Sequence, residues 1–307
     1  MYIVIVNPIA GYGSALKRFQ KIQRDVSFKN NQCRTFFTEY KGHAEEIAAQ
    51  IAEIYKEQVK TVIVIGGDGT FHEVMNGLNA YPQIPMAFIP AGSGNDFARG
   101  AGIPNDPLNS FKHIIRAPRK LTFLPGTYQL KLSPRKRKFF MNSIGIGFDA
   151  AVANKAEGSL LKRFFNRIRI GSLSYVTALL AVLPKYEALP IMVKVDGNVV
   201  HDTRALMVTV ANHPYYGGGM KIAPQASLKD ELYSIIIIER IAKWKILLLF
   251  ITVFFGKHTS LREVKEYKGK SIIIESVAKI PVQIDGETTT TRRCRIEKAA
   301  QRRTIYY

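Results

Sequence analysis

Cysteine is scarce in this 307-residue chain. Cys33 and Cys294 are the only two, which rules out a disulfide framework, and neither sits at a metal-type spacing. That usage suits a reducing compartment and predicts two free core thiols. Long apolar runs are missing too. The longest, residues 246–255, covers about half of the ~20 residues that a bilayer-spanning helix needs, and it reads as a buried helix rather than an interfacial one. The opening Met1-Tyr2-Ile3-Val4-Ile5-Val6 is apolar at once and lacks the basic leader of a signal peptide, so a cytoplasmic location is expected. No G-x-x-x-x-G-K-S/T string occurs, so any phosphate binding must rest on other backbone turns. No internal repeat or low-complexity tract is present. Acid is in short supply: 24 Asp and Glu stand against 44 Lys and Arg, a formal charge of +20.

Such an excess of base attracts nucleic acid, nucleotides or an anionic membrane surface. The basic residues come in bursts: Arg116, Arg119 and Lys120; Lys131 and Arg135 to Lys138; Lys162, Arg163, Arg167 and Arg169; Arg292, Arg293 and Arg295; and the tail Arg302 and Arg303. A solvated face is the plain reading of one burst. Several, with little acid between them, point to an anionic partner. No recognition helix or aromatic–basic sheet motif accompanies them, so nucleic acid is not expected.

The chain is organised around residues 61–77, TVIVIGGDGTFHEVMNG. Its β-branched apolar start reads as a buried strand. Gly66, Gly67, Asp68, Gly69 and Thr70 follow, and then a helix. A strand, a glycine turn and a helix aim backbone N–H groups at a phosphate. Asp68 places a carboxylate among those donors, which implies a divalent cation, and Thr70 is placed to cap the helix or bond a phosphate oxygen. A tight turn without a ligand is the plain alternative. A second turn, IPAGSGNDFAR at 89–99, repeats the pattern with Gly92, Ser93, Gly94, Asn95 and Asp96 after another apolar run. Two such turns on one sheet can face the same crevice.

Strand–helix alternation runs to about residue 116. It predicts a doubly wound, largely parallel α/β domain over 1–122. Short β-like runs then dominate, including a hairpin at Asp196-Gly197-Asn198, and predict an antiparallel β-sandwich over 123–307. One helical stretch, 157–183, interleaves apolar and basic residues. It reads either as an amphipathic helix covering the sheet or as a surface for anionic lipid.

GGDGT followed by PAGSGNDFAR resembles the diacylglycerol kinase catalytic domain family, which includes bacterial lipid kinases and sphingosine kinases, and is more distantly similar to NAD kinases. The likeness extends over about 2–290. It includes Asn7, Pro8, Gly11 and Gly13 in the first loop, Thr38 after the second strand, the Asn142 to Ala150 element, Asn212 with Gly217 to Gly219, and Asp285-Gly286-Glu287. The resemblance implies ATP as phosphoryl donor, Mg²⁺, and a membrane lipid as acceptor, with the active site in a cleft between the domains and the C-terminal segment returning toward the first. It implies nucleotide contacts from Asn7, Pro8, Gly11, Gly13, Thr38, Gly66, Gly67, Asp68, Gly69, Thr70, Ser93 and Asn95. Asp68 and Asp96 would organise the metal. Asp285 or Glu287 would deprotonate the acceptor hydroxyl, although Asp-Gly between β runs is also an ordinary hairpin turn. A structural magnesium would sit on Asp230, with carbonyls near Ser227 and Leu232; members usually have Gly where this chain has Glu231.

One departure stands out. Many bacterial members carry an acidic residue in the first strand after the nucleotide domain, and residues 120–126, KLTFLPG, have none. The expected protein is a peripherally membrane-associated lipid kinase; a homodimer is compatible with the sequence. The alternatives are an NAD kinase-like enzyme and a non-catalytic nucleotide- or lipid-binding protein on a kinase scaffold.

Overall fold

The computed structural model describes residues 1–130, 137–157 and 171–307. Most of the expected basic loop at 133–138, and the interleaved apolar–basic stretch at 158–170, lie outside these residues. The chain forms two compact units, Met1–Leu124 with Ala300–Tyr307, and Pro125–Ala299.

The first unit alternates strand and helix: β1 (Tyr2–Val6), α1 (Ala10–Gln23), α2 (Val26–Lys29), β2 (Cys33–Phe37), α3 (His43–Tyr55), β3 (Thr61–Gly66), α4 (Asp68–Gly77), β4 (Met86–Pro90), α5 (Asp96–Ala101), α6 (Pro107–Arg116) and β5 (Lys120–Phe123). Every residue of β3 and β4 is buried. This is the pattern of central parallel strands covered on both faces, and it explains their unbroken apolar runs. The sheet order is β2-β1-β3-β4-β17-β5, where β17 (Arg303–Tyr306) comes from the far end of the chain. β17 runs parallel to β4 and antiparallel to β5.

Arg303 is 1% exposed. Its guanidinium donates to the carbonyls of Leu78, Asn79 and Tyr81 at 2.8, 3.2 and 3.1 Å, acceptors at and just beyond the C-terminus of α4. Leu78 and Tyr81 also accept from the N–H groups of Tyr81 and Ile84, so the arginine adds a charged donor to a turn that is already bonded. Burial lowers its pKa to about 10, which leaves it charged at neutral pH. The basic tail is therefore not all surface: one of its two arginines is a core residue.

The second unit contains β6 (Gly126–Gln129), β7 (Lys138–Phe140), β8 (Ser143–Gly147), α7 (Phe148–Glu157), α8 (Gly171–Val182), β9 (Leu189–Val195), β10 (Asn198–Ala211), the short pair β11 (Tyr215–Tyr216) and β12 (Met220–Lys221), β13 (Tyr233–Glu239), α9 (Lys243–Phe254), β14 (Val264–Gly269), β15 (Ser271–Ile284) and β16 (Glu287–Lys298). Nine antiparallel strands follow the order β14-β13-β10-β8-β15-β16-β6-β7, with β9 pairing β10 and β15. The long strands β10 and β15 carry irregularities at Ala205/Met207 and Glu275/Ile280. Their first halves pair with β9 and their second halves with β8. Two long strands thus serve both layers, where the sequence suggests separate short ones; a bulge interrupts periodicity without ending the strand. Ile144, Ile146, Val193, Val208, Ile235 and Ile274 fill the space inside.

On the other face Val152, Leu179, Ile236, Ile238, Ile246 and Leu249 form a second core. β13 feeds both cores, which accounts for its run of four isoleucines. Helix α9 corrects the reading of residues 246–255. Ile246, Leu249 and Val253 are buried, but Leu247, Leu248 and Ile251 are exposed, so one face only is covered. Among the described residues no helix is long and apolar enough to cross a membrane.

Candidate active site

In the first unit, three loops leave the carboxyl ends of the adjacent strands β1, β3 and β4. The chain moves from β1 outward to β2 and then across to β3, which makes this end of the sheet a topological switch point. The loops touch. A Cβ on Gly11 would lie 1.9 Å from the carbonyl oxygen of Ala91, and one on Gly92 would lie 2.7 Å from the Cα of Gly67. Gly11, Tyr12 and Gly13 have φ of 57°, 56° and 82°, so the first loop turns left-handed before the helix proper begins. The three turns that carry the sequence motifs therefore form one backbone-lined cradle.

Helix α4 opens at this cradle without a side-chain cap. Its first-turn amides have no intrahelical acceptors, and with the helix dipole they suit a phosphate. The two carboxylate oxygens of Asp68 accept from the N–H groups of Asp96 (2.9 Å) and Phe97 (3.1 Å), capping α5 from the neighbouring loop. Asp68 thus has a positive partner in the fold, and its presence among the glycines does not by itself require a cation. Asp96, 6% exposed, accepts from Arg99 at 2.8 Å.

Asn7 donates to Thr70 Oγ1 at 2.9 Å, while its buried Oδ1 has no partner in the fold. An orphaned acceptor beside a phosphate-type turn fits a site built for a donor on a ligand. Asn95, held at φ 53°, joins both ends of its amide to Gly92: Oδ1 accepts from the Gly92 N–H and Nδ2 donates to the Gly92 carbonyl, both at 2.9 Å. These bonds make it a loop-positioning residue. Ser93 and Gly69 are exposed and Pro8 is half-buried. Thr38 is buried, and its N–H donates to the Val6 carbonyl at the end of β1. Glu73 does not line the cradle; it accepts from the N–H groups of Gly42 and Ala44 at the start of α3.

In the second unit, Asp285 and Gly286 form the β15–β16 turn with φ of 48° and 92°, the left-handed pair that a tight hairpin needs. The Asp285 carboxylate accepts from Met141 (2.7 Å), Asn142 (2.8 Å) and Ser143 (3.1 Å). Gln283 Oε1 accepts from Gly286 N–H at 3.0 Å. Asp285 is therefore a lock between the hairpin and the 141–143 segment. Glu287 is exposed at the first position of β16.

Two neighbouring features escape motif reading. His213 is fully buried; its Nδ1 accepts from the Tyr215 N–H, so Nε2 carries the proton and donates to Asn142 Oδ1 at 2.8 Å. Lys298 donates to Asn212 at 2.7 Å and lies 4.2 Å from the centre of the Tyr233 ring; burial lowers its pKa to about 8. Asp149 is 2% exposed. Burial pushes its pKa up to about 7, against the opposing bond from the Ala150 N–H. Gly145 is needed beneath it, because a Cβ there would lie 1.6 Å from Asp149 Oδ2. No local pattern in the sequence marks His213 or Lys298, whose partners lie 71 and 86 residues away.

Two carboxylates beside a phosphate-type turn suit Mg²⁺, which binds through one or two acids plus phosphate oxygens. Asp68 and Asp96 are the acids there, and a cation between them would share these carboxylates with the Asp96 and Phe97 amides and with Arg99. The segment 227–232 fits less well: the Asp230 carboxylate lies 3.5 Å from the Lys268 ammonium, Ser227 accepts from the Asp230 N–H, and Leu232 adds no charge. Among the described residues no cluster of three or more acidic, His or Cys groups could hold a metal.

Comparison with known proteins agrees with this architecture. The model of the diacylglycerol kinase catalytic domain matches residues 1–122, and that of the YegS C-terminal NAD kinase beta sandwich-like domain matches 142–301. YtlR of Bacillus subtilis is 36% identical over 295 residues, 96% of each chain. A diacylglycerol kinase of Mycobacterium tuberculosis is 28% identical, covering 92% of this chain and 87% of its own. Two solved chains from Bacillus anthracis align over 100% of this one, with TM-scores of 0.77 and 0.71, identities of 25% and 23%, and 94% and 96% of their own lengths covered. With both halves matched and relatives aligned from end to end, the chain belongs to the diacylglycerol kinase catalytic domain family.

Proposed function

We propose that the protein transfers the γ-phosphoryl group of ATP to a hydroxyl of a membrane lipid. The observation that carries this reading is the cradle of three touching glycine turns with Asp68 and Asp96 at its edge. In this reading the α4 amides and the Asn7–Thr70 pair hold the nucleotide phosphates. Asp68 and Asp96 would hold Mg²⁺, which supplies charge neutralisation for the transferred group. The acceptor oxygen forms a bond to γ-phosphorus as the bond to the β–γ bridging oxygen breaks, and a carboxylate takes the hydroxyl proton. Glu287 is the better base of the two candidates, because Asp285 is committed to three amides. The relatives named diacylglycerol kinase favour a lipid acceptor over NAD.

The test is transfer of label from γ-labelled ATP into a total lipid extract. Label should enter one lipid class with the unaltered chain, and Glu287→Gln should cut the rate by about 10²-fold or more without weakening nucleotide binding. Absence of labelled lipid from the unaltered chain sinks the proposal. Nucleotide binding without turnover would favour the second reading, a binding protein on a kinase scaffold. The observations behind that reading are the acid-free 120–126 segment and the Arg99 partner on Asp96.

A further inference from the structure

Helix α9 presents an apolar face that is left exposed among the described residues. Trp244 is 66% exposed, Leu247 41%, Leu248 44%, Ile251 59% and the adjoining Phe255 71%. Their spacing of 3, 1, 3 and 4 residues aligns them in one stripe of about 16 Å. The opposite face, Ile246, Leu249 and Val253, is anchored in the core beneath the sheet. A contiguous patch of this kind marks a docking surface.

Its surroundings are cationic. Lys243 and Lys245 fall on either side of Trp244, with Lys245 5.8 Å from the indole. Lys257 follows Phe255. At the start of the helix, Arg204, Arg240 and Lys243 line a cavity of about 600 Å³, with Glu187 as its acid. Lys245 is paired with Glu263, and Arg204 with Glu187, so the net sign at the rim is positive. Two copies of the chain meeting through this face would bring Arg240, Lys243 and Lys257 against their counterparts, which like-charge repulsion opposes. An anionic bilayer matches both parts: apolar side chains enter the acyl boundary and the cations meet the headgroups.

We propose that the outward face of α9 is a docking surface that lies in the plane of an anionic membrane, with Trp244, Leu248 and Ile251 inserted. The proposal shares with the kinase reading only the premise of a membrane-borne acceptor, and its test involves no turnover. Trp244 is the sole tryptophan of the chain, so its fluorescence reports on this helix alone. The full-length protein, without nucleotide, is mixed with vesicles of phosphatidylcholine alone or containing phosphatidylglycerol, with and without acyl-brominated lipid.

The expected result is a blue shift and bromine quenching of Trp244 on the anionic vesicles. Binding should fall as salt rises. It should fall at least about tenfold in Leu248→Glu/Ile251→Glu, since two large apolar side chains leave the lipid. Circular dichroism shows whether that variant is folded; the quenching of the unaltered chain stands regardless. Three results would overturn the proposal: no vesicle binding; binding with unchanged Trp244 emission, which places the contact elsewhere; or a blue shift driven by protein concentration alone with a dimer in sedimentation, which assigns the face to a second copy.

Discussion

A carboxylate acts as a base only if it keeps a lone pair for the incoming proton in reach of the substrate. The three amides on Asp285 hold it fixed and occupy its lone pairs. Asp285→Ala strands three N–H donors and is expected to destabilise the second unit by roughly 2–4 kcal/mol, read as a lower thermal midpoint. Glu287→Gln should leave the midpoint unchanged while transfer is lost, so the pair of variants separates lock from base. Asp149 carries a different signature. Its pKa is raised to about 7, so between about pH 4 and pH 7 the unfolded chain has released a proton that the folded chain retains. Stability should therefore fall with rising pH across that window and level off above it, by at most on the order of 4 kcal/mol. Asp149→Asn should match the unaltered chain at pH 4 and exceed it at pH 8 in urea midpoint; equal midpoints at pH 8 would refute the assignment. Sequence alone leaves Asp285 and Glu287 equivalent, because what separates them is a set of bonds to residues more than 140 positions away.

Among the elements, the glycine turns are the most legible in sequence. A phosphate cradle needs backbone without side chains, and that need is written directly in the composition of residues 66–69 and 92–94. What sequence does not show is that the turns touch. Gly92→Ala must push the Gly67 turn aside, since its Cβ would lie 2.7 Å from the Gly67 Cα. Nucleotide affinity should drop roughly tenfold or more, measurable by calorimetry, with Asn95 and Asp96 displaced together. Helix α9 is the opposite case. Residues 246–254 are apolar nearly all round, and such a helix ordinarily belongs in a core; here its outward face stays exposed among the described residues, which no window along the helix itself announces. Glu73 is a third kind, a helix residue whose carboxylate caps a different helix, which no window along the sequence can reveal.

At the scale of the whole molecule, alternation followed by β-rich texture is enough to read two fold types in order, because periodicity is local. The path of the last residues is not. β17 lies between β4 and β5, and Arg303 supplies donors to three carbonyls around the end of α4. Arg303→Met should destabilise the first unit by roughly 3 kcal/mol through the loss of its charge-assisted hydrogen bonds and leave the second unit's unfolding transition in place, a contrast that two-phase denaturation would resolve. The same strand sets an order of events on the ribosome. Residues 1–124 emerge first, yet without β17 the strand β5 has no partner and β4 keeps an open edge. The second unit, 125–299, has all its strands before that gap is filled. The half of the protein that is made first is thus the half whose sheet is completed last.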